Sequence, residues 1–171
     1  MSVHPPGGAD RARVTTFVAV EPLDAFEVFT QETDLWWKKG PRYRFGGARN
    51  GVLRFEGRAG GKLLEVFDDA TGDAYEVGRV LVWEPGARLV FEWRARAFVP
   101  GEVTEVDVRF EPASGGTRVV LEHRGWDALA PTHPVRHGME APEFIAWMGR
   151  WWGELATSFR LHAVKARGPR D

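Results

Sequence analysis

Cysteine is absent from the 171 residues, which removes disulfides, thiolate catalysis and Cys-based zinc sites together. No run approaches the roughly 20 apolar residues that a membrane span requires. The opening "MSVHPPGGADRAR" lacks the apolar segment of a secretory signal. Lysine is scarce, limited to Lys38, Lys39, Lys62 and Lys165, and the formal net charge is only −1. Without a strong field of one sign there is nothing global to hold a nucleic-acid backbone or an anionic membrane. Fingerprint motifs are missing as well: "GARNG" and "ASGGT" are turn glycines, and neither a phosphate loop, a nucleophile elbow nor a metalloprotease helix is present. The expectation is a cytoplasmic protein with no cofactor, no bound metal and no nucleic-acid partner.

What the chain has instead is ring mass. It carries eight tryptophans and eleven phenylalanines, and "WMGRWWGELATSF" alone holds Trp147, Trp151 and Trp152. The length fits one domain with a continuous core. We expect a Pro- and Gly-rich tail over residues 1–12, a domain over 13–163 and a second tail over 164–171.

"RVTTFVAVE" reads as a strand. Pro22 suits the first position of a helix carrying Leu23, Phe26 and Val28 or Phe29, and Thr33 and Asp34 are placed to cap a short helix with Leu35, Trp36 and Trp37. "KKGPRYRFGG" is a breaker-rich link. From 51 to 123 six short runs follow at hairpin spacing, separated by "RAGG", "DATGD", "EPG" and "ASGG". In them Leu89, Phe91 and Trp93, then Val106, Val108 and Phe110, then Val119, Leu121 and His123 fall on one face. Glu105, Asp107 and Arg109 fall on the other. A half-apolar sheet needs a cover. The cover is a helix from about 142 to 163, with Phe144, Trp147, Met148, Trp151, Leu155 and Phe159 on one stripe. The fold class is therefore α+β: a curved antiparallel sheet of about seven strands wrapped on a long C-terminal helix, with two short helices after the first strand, a helix-grip arrangement.

"GRVLVWEPGARLVFEW", "TEVDVRFEPASGGTRVVLEHRGW" and the closing Trp-rich helix make the chain resemble the SRPBCC, or START-like, superfamily. Within it, Pro85-x-x-x-Leu89, Gly116-Thr117 and Leu121-x-His123-x-Gly125-Trp126 resemble the heat-shock-protein-90 ATPase activator homologue family. The resemblance covers about 13 to 163. It implies the helix-grip fold with a cavity between sheet and helix, and it implies several uses: carrier, co-chaperone domain or polyketide-cyclase-like enzyme. No catalytic residue set carries over.

The candidate ligand-binding positions are Arg79, Leu81, Phe91, Trp93, Val106, Val108, Val119, Leu121, His123, Trp147, Met148, Trp151 and Leu155. His123 is read as a satisfied core residue, a ligand-facing group or an acid–base. Arg79 faces inward if Tyr75, Val77, Leu81 and Trp83 do, and is solvated if Val80 and Val82 do instead. His133 and His137 suggest metal ligands, but Pro134 breaks the helix that would align them, which leaves them at the pocket mouth. Gly149 and Gly153 are read as relieving crowding between large rings. A dry void of ~300 Å³ under the helix would cost about 7 kcal/mol at roughly 24 cal/mol per Å³, comparable with a domain's whole stability. Such a hollow must hold a ligand or water, or the indoles collapse into it.

The reading that follows is a binder of a small hydrophobic, aromatic or lipid-like molecule, monomeric or homodimeric. The alternatives are a chaperone-associated or regulatory module that uses Glu105 and Arg109 on the outer sheet, and a cyclase-like enzyme that uses His123 or Arg79.

Overall fold

The computed structural model describes residues 10–169. Of the tails expected at 1–12 and 164–171, residues 1–9 and 170–171 lie outside the described residues, whereas Arg11 and Ala12 open the first strand and residues 164–167 continue the last helix. Seven strands, β1 (Arg11–Val18), β2 (Val52–Phe55), β3 (Lys62–Asp68), β4 (Asp73–Glu84), β5 (Arg88–Trp93), β6 (Thr104–Ala113) and β7 (Gly116–Arg124), form one antiparallel sheet. Its order is β1-β7-β6-β5-β4-β3-β2. The meander thus runs from one edge inward, and β1 closes the far side on β7. Helices α1 (Pro22–Gln31) and α2 (Thr33–Trp36) follow β1, and α3 (Ala141–Arg167) ends the chain. At 1.5 Å per residue α3 is about 40 Å long, enough to cross the whole sheet. This is the helix-grip fold.

Alternation places the strands as expected over β5 to β7. Leu89, Phe91, Val106, Val108 and His123 are buried on the inner face, while Arg109 is exposed outside. Asp107 is also outward yet only 3% exposed, roofed by Arg88 and Arg124, each 2.9 Å away. Burial opposes its ionisation, and the two guanidiniums outweigh that, holding its carboxyl below the usual range.

Strand β4 breaks the alternation twice. Its register slips opposite Leu63/Leu64 and again between Val80 and Val82, so Val77, Val80 and Trp83 turn inward at three-residue intervals. Neither simple register holds. Gly78 sits at the slip, where a Cβ would lie 1.7 Å from the Glu92 carbonyl oxygen. No other residue fits that approach.

Two local expectations change. Glu32, not Thr33 or Asp34, occupies the position before α2, and Thr33 Oγ1 instead donates back to the Phe29 carbonyl at 2.7 Å. Leu23 is half exposed, because α1 buries Ala25, Phe26, Val28 and Phe29 between the sheet and α3.

Candidate functional site

The inner face of the sheet and α3 meet in two different ways along the helix. At the C-terminal half of α3 the contact is closed. Phe29, Trp36, Val119, Leu121, Trp152, Leu155 and Phe159 surround a residual void of about 10 Å³, too small to hold a water comfortably. The hollow expected beneath the helix has been filled by side chains. Trp152 does most of this, at 1% exposure, and it lies one position off the stripe read from the sequence.

His123 is part of the closed region. The Trp152 Nε1–H can only donate, so His123 Nδ1 accepts it at 2.9 Å, and His123 Nε2 carries the ring proton. That proton goes to Thr104 Oγ1 at 2.7 Å, whose own hydroxyl donates to the Trp93 carbonyl at 3.0 Å. Every polar atom of the chain of bonds is used. The imidazole is fully buried, and burial pushes its pKa well below the ordinary histidine value. It is a neutral, satisfied core histidine.

At the N-terminal half of α3 the contact opens. A cleft of about 240 Å³ lies between α3, the end of β5 and the segment 41–45. Its walls are Tyr43, Phe45, Trp93, Trp147, Met148 and Trp151. The segment that sequence reading dismissed as a link is a strap across the sheet. The Trp151 Nε1–H donates to the Arg42 carbonyl at 3.0 Å and the Trp37 Nε1–H to the Tyr43 carbonyl at 2.9 Å. The Tyr43 hydroxyl donates to Glu154 Oε2, and Arg42 reaches Glu154 Oε1 at 3.3 Å. That hydrogen bond raises the Tyr43 pKa and lowers that of Glu154.

Arg44 anchors the strap from beneath. Its guanidinium is almost wholly buried and donates to Asp34 Oδ1 (2.6 Å) and to the carbonyls of Lys38, Asp34, Trp37 and Gly51. All of its donor groups are spent on fold, as a buried cation requires. Burial works against the charge on Asp34, but Arg44 prevails and lowers its pKa.

Of the candidate residues, Trp93, Trp147, Met148 and Trp151 come together in the open cleft. Val119, Leu121 and Leu155 line the residual void. Phe91, Val106 and Val108 are 0% exposed core. Arg79 and Leu81 lie on the outer face, exposed, because the β4 slips turn Val80 inward. Sequence reasoning missed Arg42, Tyr43, Phe45 and Arg96. The signal available was "RYRF" itself, in which rings and guanidiniums alternate within a turn-rich stretch.

The paired histidines separate. His133 Nδ1 accepts from the Val135 N–H at 3.1 Å and Nε2 meets Glu102 at 2.9 Å, which holds it in the loop. His137 lines the cleft, its ring 6.1 Å from that of Trp147. Among the described residues no cluster of three or more metal-ligating side chains occurs, and no helix is long and apolar enough to cross a membrane. Gly149 and Gly153 face open space, with nothing within 4 Å of an added Cβ; the crowding they were expected to relieve is not there. The Trp93 Nε1–H is buried and has no acceptor among the described residues.

Two larger depressions differ in character. One of about 540 Å³ lies between α1, α2 and β2, lined mainly by polar and aliphatic groups such as Glu32, Asp34 and Arg54. Another, of about 360 Å³, lies on the outer sheet among Arg11, Asp107, Arg118 and Glu122. The first carries two rings, Phe55 and Trp83, 6.4 Å apart, and the second none.

Comparison with known proteins gives a consistent picture of the fold. A family model described as "Activator of Hsp90 ATPase homolog 1-like protein" matches residues 19–142. No curated protein matches the sequence. Among solved structures, protein NE0264 from Nitrosomonas europaea superposes with a TM-score of 0.63 at 18% identity, covering 95% of this chain and 99% of that one. DynU16, a protein of the dynemicin biosynthetic locus, gives 0.61 at 18% identity, over 95% of this chain and 50% of that one. CalU16 from Micromonospora echinospora gives 0.57 at 16% identity, over 99% and 82%. At these identities the likeness carries the fold alone.

Proposed function

The chain belongs to the family of Activator of Hsp90 ATPase homolog 1-like proteins, and from that premise we propose that it binds a small aromatic molecule in the cleft beneath the strap. The observation that carries the reading is the convergence of five rings, Tyr43, Phe45, Trp93, Trp147 and Trp151, on one opening of about 240 Å³. Apolar pockets with few polar groups are the usual form of small-molecule sites, and rings give a large contact area at low entropic cost. The volume of about 240 Å³ lies just below the roughly 300 Å³ at which such sites begin, which favours one or two fused rings over a long acyl chain.

The competing readings have less support. A cyclase-like mechanism through His123 lacks an accessible proton, since both ring nitrogens are bonded inside the core. Arg79 is on the opposite face. A protein-interaction module through Glu105 and Arg109 would draw on side chains already held in the lattice around Asp107, with Arg124 3.2 Å from Glu105 and Arg109 3.9 Å from Asp107.

Calorimetric titration with naphthalene derivatives tests the proposal. Saturable binding at one site is expected, weakened about tenfold or more by Trp147→Ala, which removes a wall without emptying the core. Absence of binding by any single- or double-ring probe, or affinity indifferent to Trp147, contradicts it.

A further inference from the structure

The sign of the charge around the cleft defines its ligand more narrowly, and this step rests on the aromatic-binding reading above. Although the chain as a whole carries a net charge of −1, the residues lining the cleft include Arg42, Arg44, Arg96 and His137 and not one carboxylate. Of the acids bonded to the strap two are neutralised, and the third, the buried Glu65, accepts from the Phe45 N–H at 2.8 Å through Oε1 while its Oε2 has no hydrogen-bond partner among the described residues. Glu154 is held by Tyr43 and Arg42, and Asp34 by Arg44. An aromatic enclosure by itself would suit a cation as readily as a neutral ring. With Arg42 and Arg44 each paired to a carboxylate, the sign at the opening is set by the guanidinium that remains, Arg96.

The three arginines are not equivalent. Arg44 spends its donors on the fold, and Arg42 is committed to Glu154 and to the face of Tyr43, 5.5 Å from the ring centroid. Arg96 is different. It is exposed, it lines the cleft, and among the described residues it has neither a carboxylate nor a hydrogen-bond acceptor as partner. Its guanidinium lies beside the strap. Nη1 rests against Gly47, where an added Cβ would lie 2.5 Å away, and Gly47 holds a left-handed φ of +66 that suits glycine. The guanidinium thus sits at the strap's edge of the cleft with its donors uncommitted.

We propose that the cleft takes an aromatic anion, an aryl carboxylate or its equivalent, with the ring system between Trp147, Trp151 and Tyr43 and the anionic group paired to Arg96. A planar guanidinium and a planar carboxylate match in two parallel hydrogen bonds, which makes the pair both stronger and more selective than a point-charge contact. Solvent access to Arg96 keeps the desolvation cost of the pair low, and also limits its strength.

The test compares three probes of one shape, 2-naphthoate, 2-naphthamide and 2-naphthylmethylammonium, by calorimetry on the intact protein. The expected order is carboxylate tighter than amide by about tenfold, with the ammonium weakest, and a carboxylate advantage that shrinks as salt rises. Arg96→Gln should weaken the carboxylate by about tenfold, to near the affinity of the amide, and weaken the amide far less, and Arg96→Lys should restore part of the preference. Equal affinity of carboxylate and amide for the unaltered protein, or tighter binding of the ammonium, overturns the anion assignment and leaves the aromatic site standing. Loss of the preference in Arg42→Gln but not in Arg96→Gln overturns the role given to Arg96. Failure of all three probes to bind overturns the aromatic site itself.

Discussion

The two halves of α3 are built from the same residue types and do opposite things. Around its C-terminal half, Trp152, Leu155 and Phe159 interlock with Phe29, Trp36 and β7 until about 10 Å³ is left. Around its N-terminal half, Trp147, Met148 and Trp151 face a cleft of about 240 Å³. The difference lies in what covers each half. Helices α1 and α2 press their own rings onto the closed half: Phe29 meets Phe159 at 5.4 Å and Trp36 meets Phe159 at the same distance. The open half is covered by the strap, whose Tyr43 and Phe45 rings meet Trp151 at 6.0 Å and Trp93 at 5.9 Å, and by the 134–137 loop, and the cleft is the gap these two irregular segments leave between them. Indole content alone does not distinguish core from pocket. Whether a packed helix pair or irregular segments form the cover does.

Paired truncations put that comparison under the greatest strain. Trp152→Ala removes a fully buried indole and also deprives His123 Nδ1 of its donor; a loss of about 4–5 kcal/mol is expected from cavity and orphaned acceptor together. Trp147→Ala, on the same helix, should cost about 1 kcal/mol or less, since its ring is already partly in solvent. Urea unfolding of both variants checks this. Similar losses at the two sites would mean that the open half is as closed as the other.

A smaller effect separates the halves by pH. Burial keeps His123 neutral in the folded chain, whereas the unfolded chain protonates it near pH 6.5. As pH falls below that value the unfolded state binds the extra proton, so stability declines on acidification, by up to about 1.4 kcal/mol per pH unit from this group. Above that pH the contribution is flat. Unfolding curves at pH 7.5, 6.5 and 5.5 should show this slope, and His123→Phe should reduce it. An identical slope in the variant would contradict the closed network. The smallest effect expected is a gain: Gly149→Ala and Gly153→Ala meet open space and should each stabilise the helix by about 1 kcal/mol. A loss in thermal melts would show a packing role that the geometry lacks.

Strands β5 to β7 and the long helix were legible because their alternation and their 3–4 spacing each point to one face. Strand β4 was not. Its run Tyr75 to Trp83 is apolar on both parities, and two register slips with Gly78 tucked under the Glu92 carbonyl decide which side chains turn inward. No local pattern encodes that. Trp152 was passed over because a single stripe was drawn, whereas a helix covered by a sheet on one side and by α1 and α2 on the other needs a broader one. The site was legible only by halves. Trp93, Trp147, Met148 and Trp151 came from the periodic elements, but Tyr43, Phe45 and Arg96 lie in irregular segments whose direction is set by tertiary bonds such as the Trp151 donation to Arg42. His123 shows the remaining difficulty: strand parity placed it inward, yet only its partners tell a core residue from a reactive one.

The most direct test follows the indole N–H signals of the eight tryptophans by nitrogen–proton correlation spectroscopy as 2-naphthoate is added. The account predicts that Trp93, Trp147 and Trp151 shift together and saturate, while Trp36, Trp126 and Trp152 hold their positions. Movement of Trp152 and Trp36 with Trp147 unchanged would place the ligand inside the closed half and contradict the division on which the account rests.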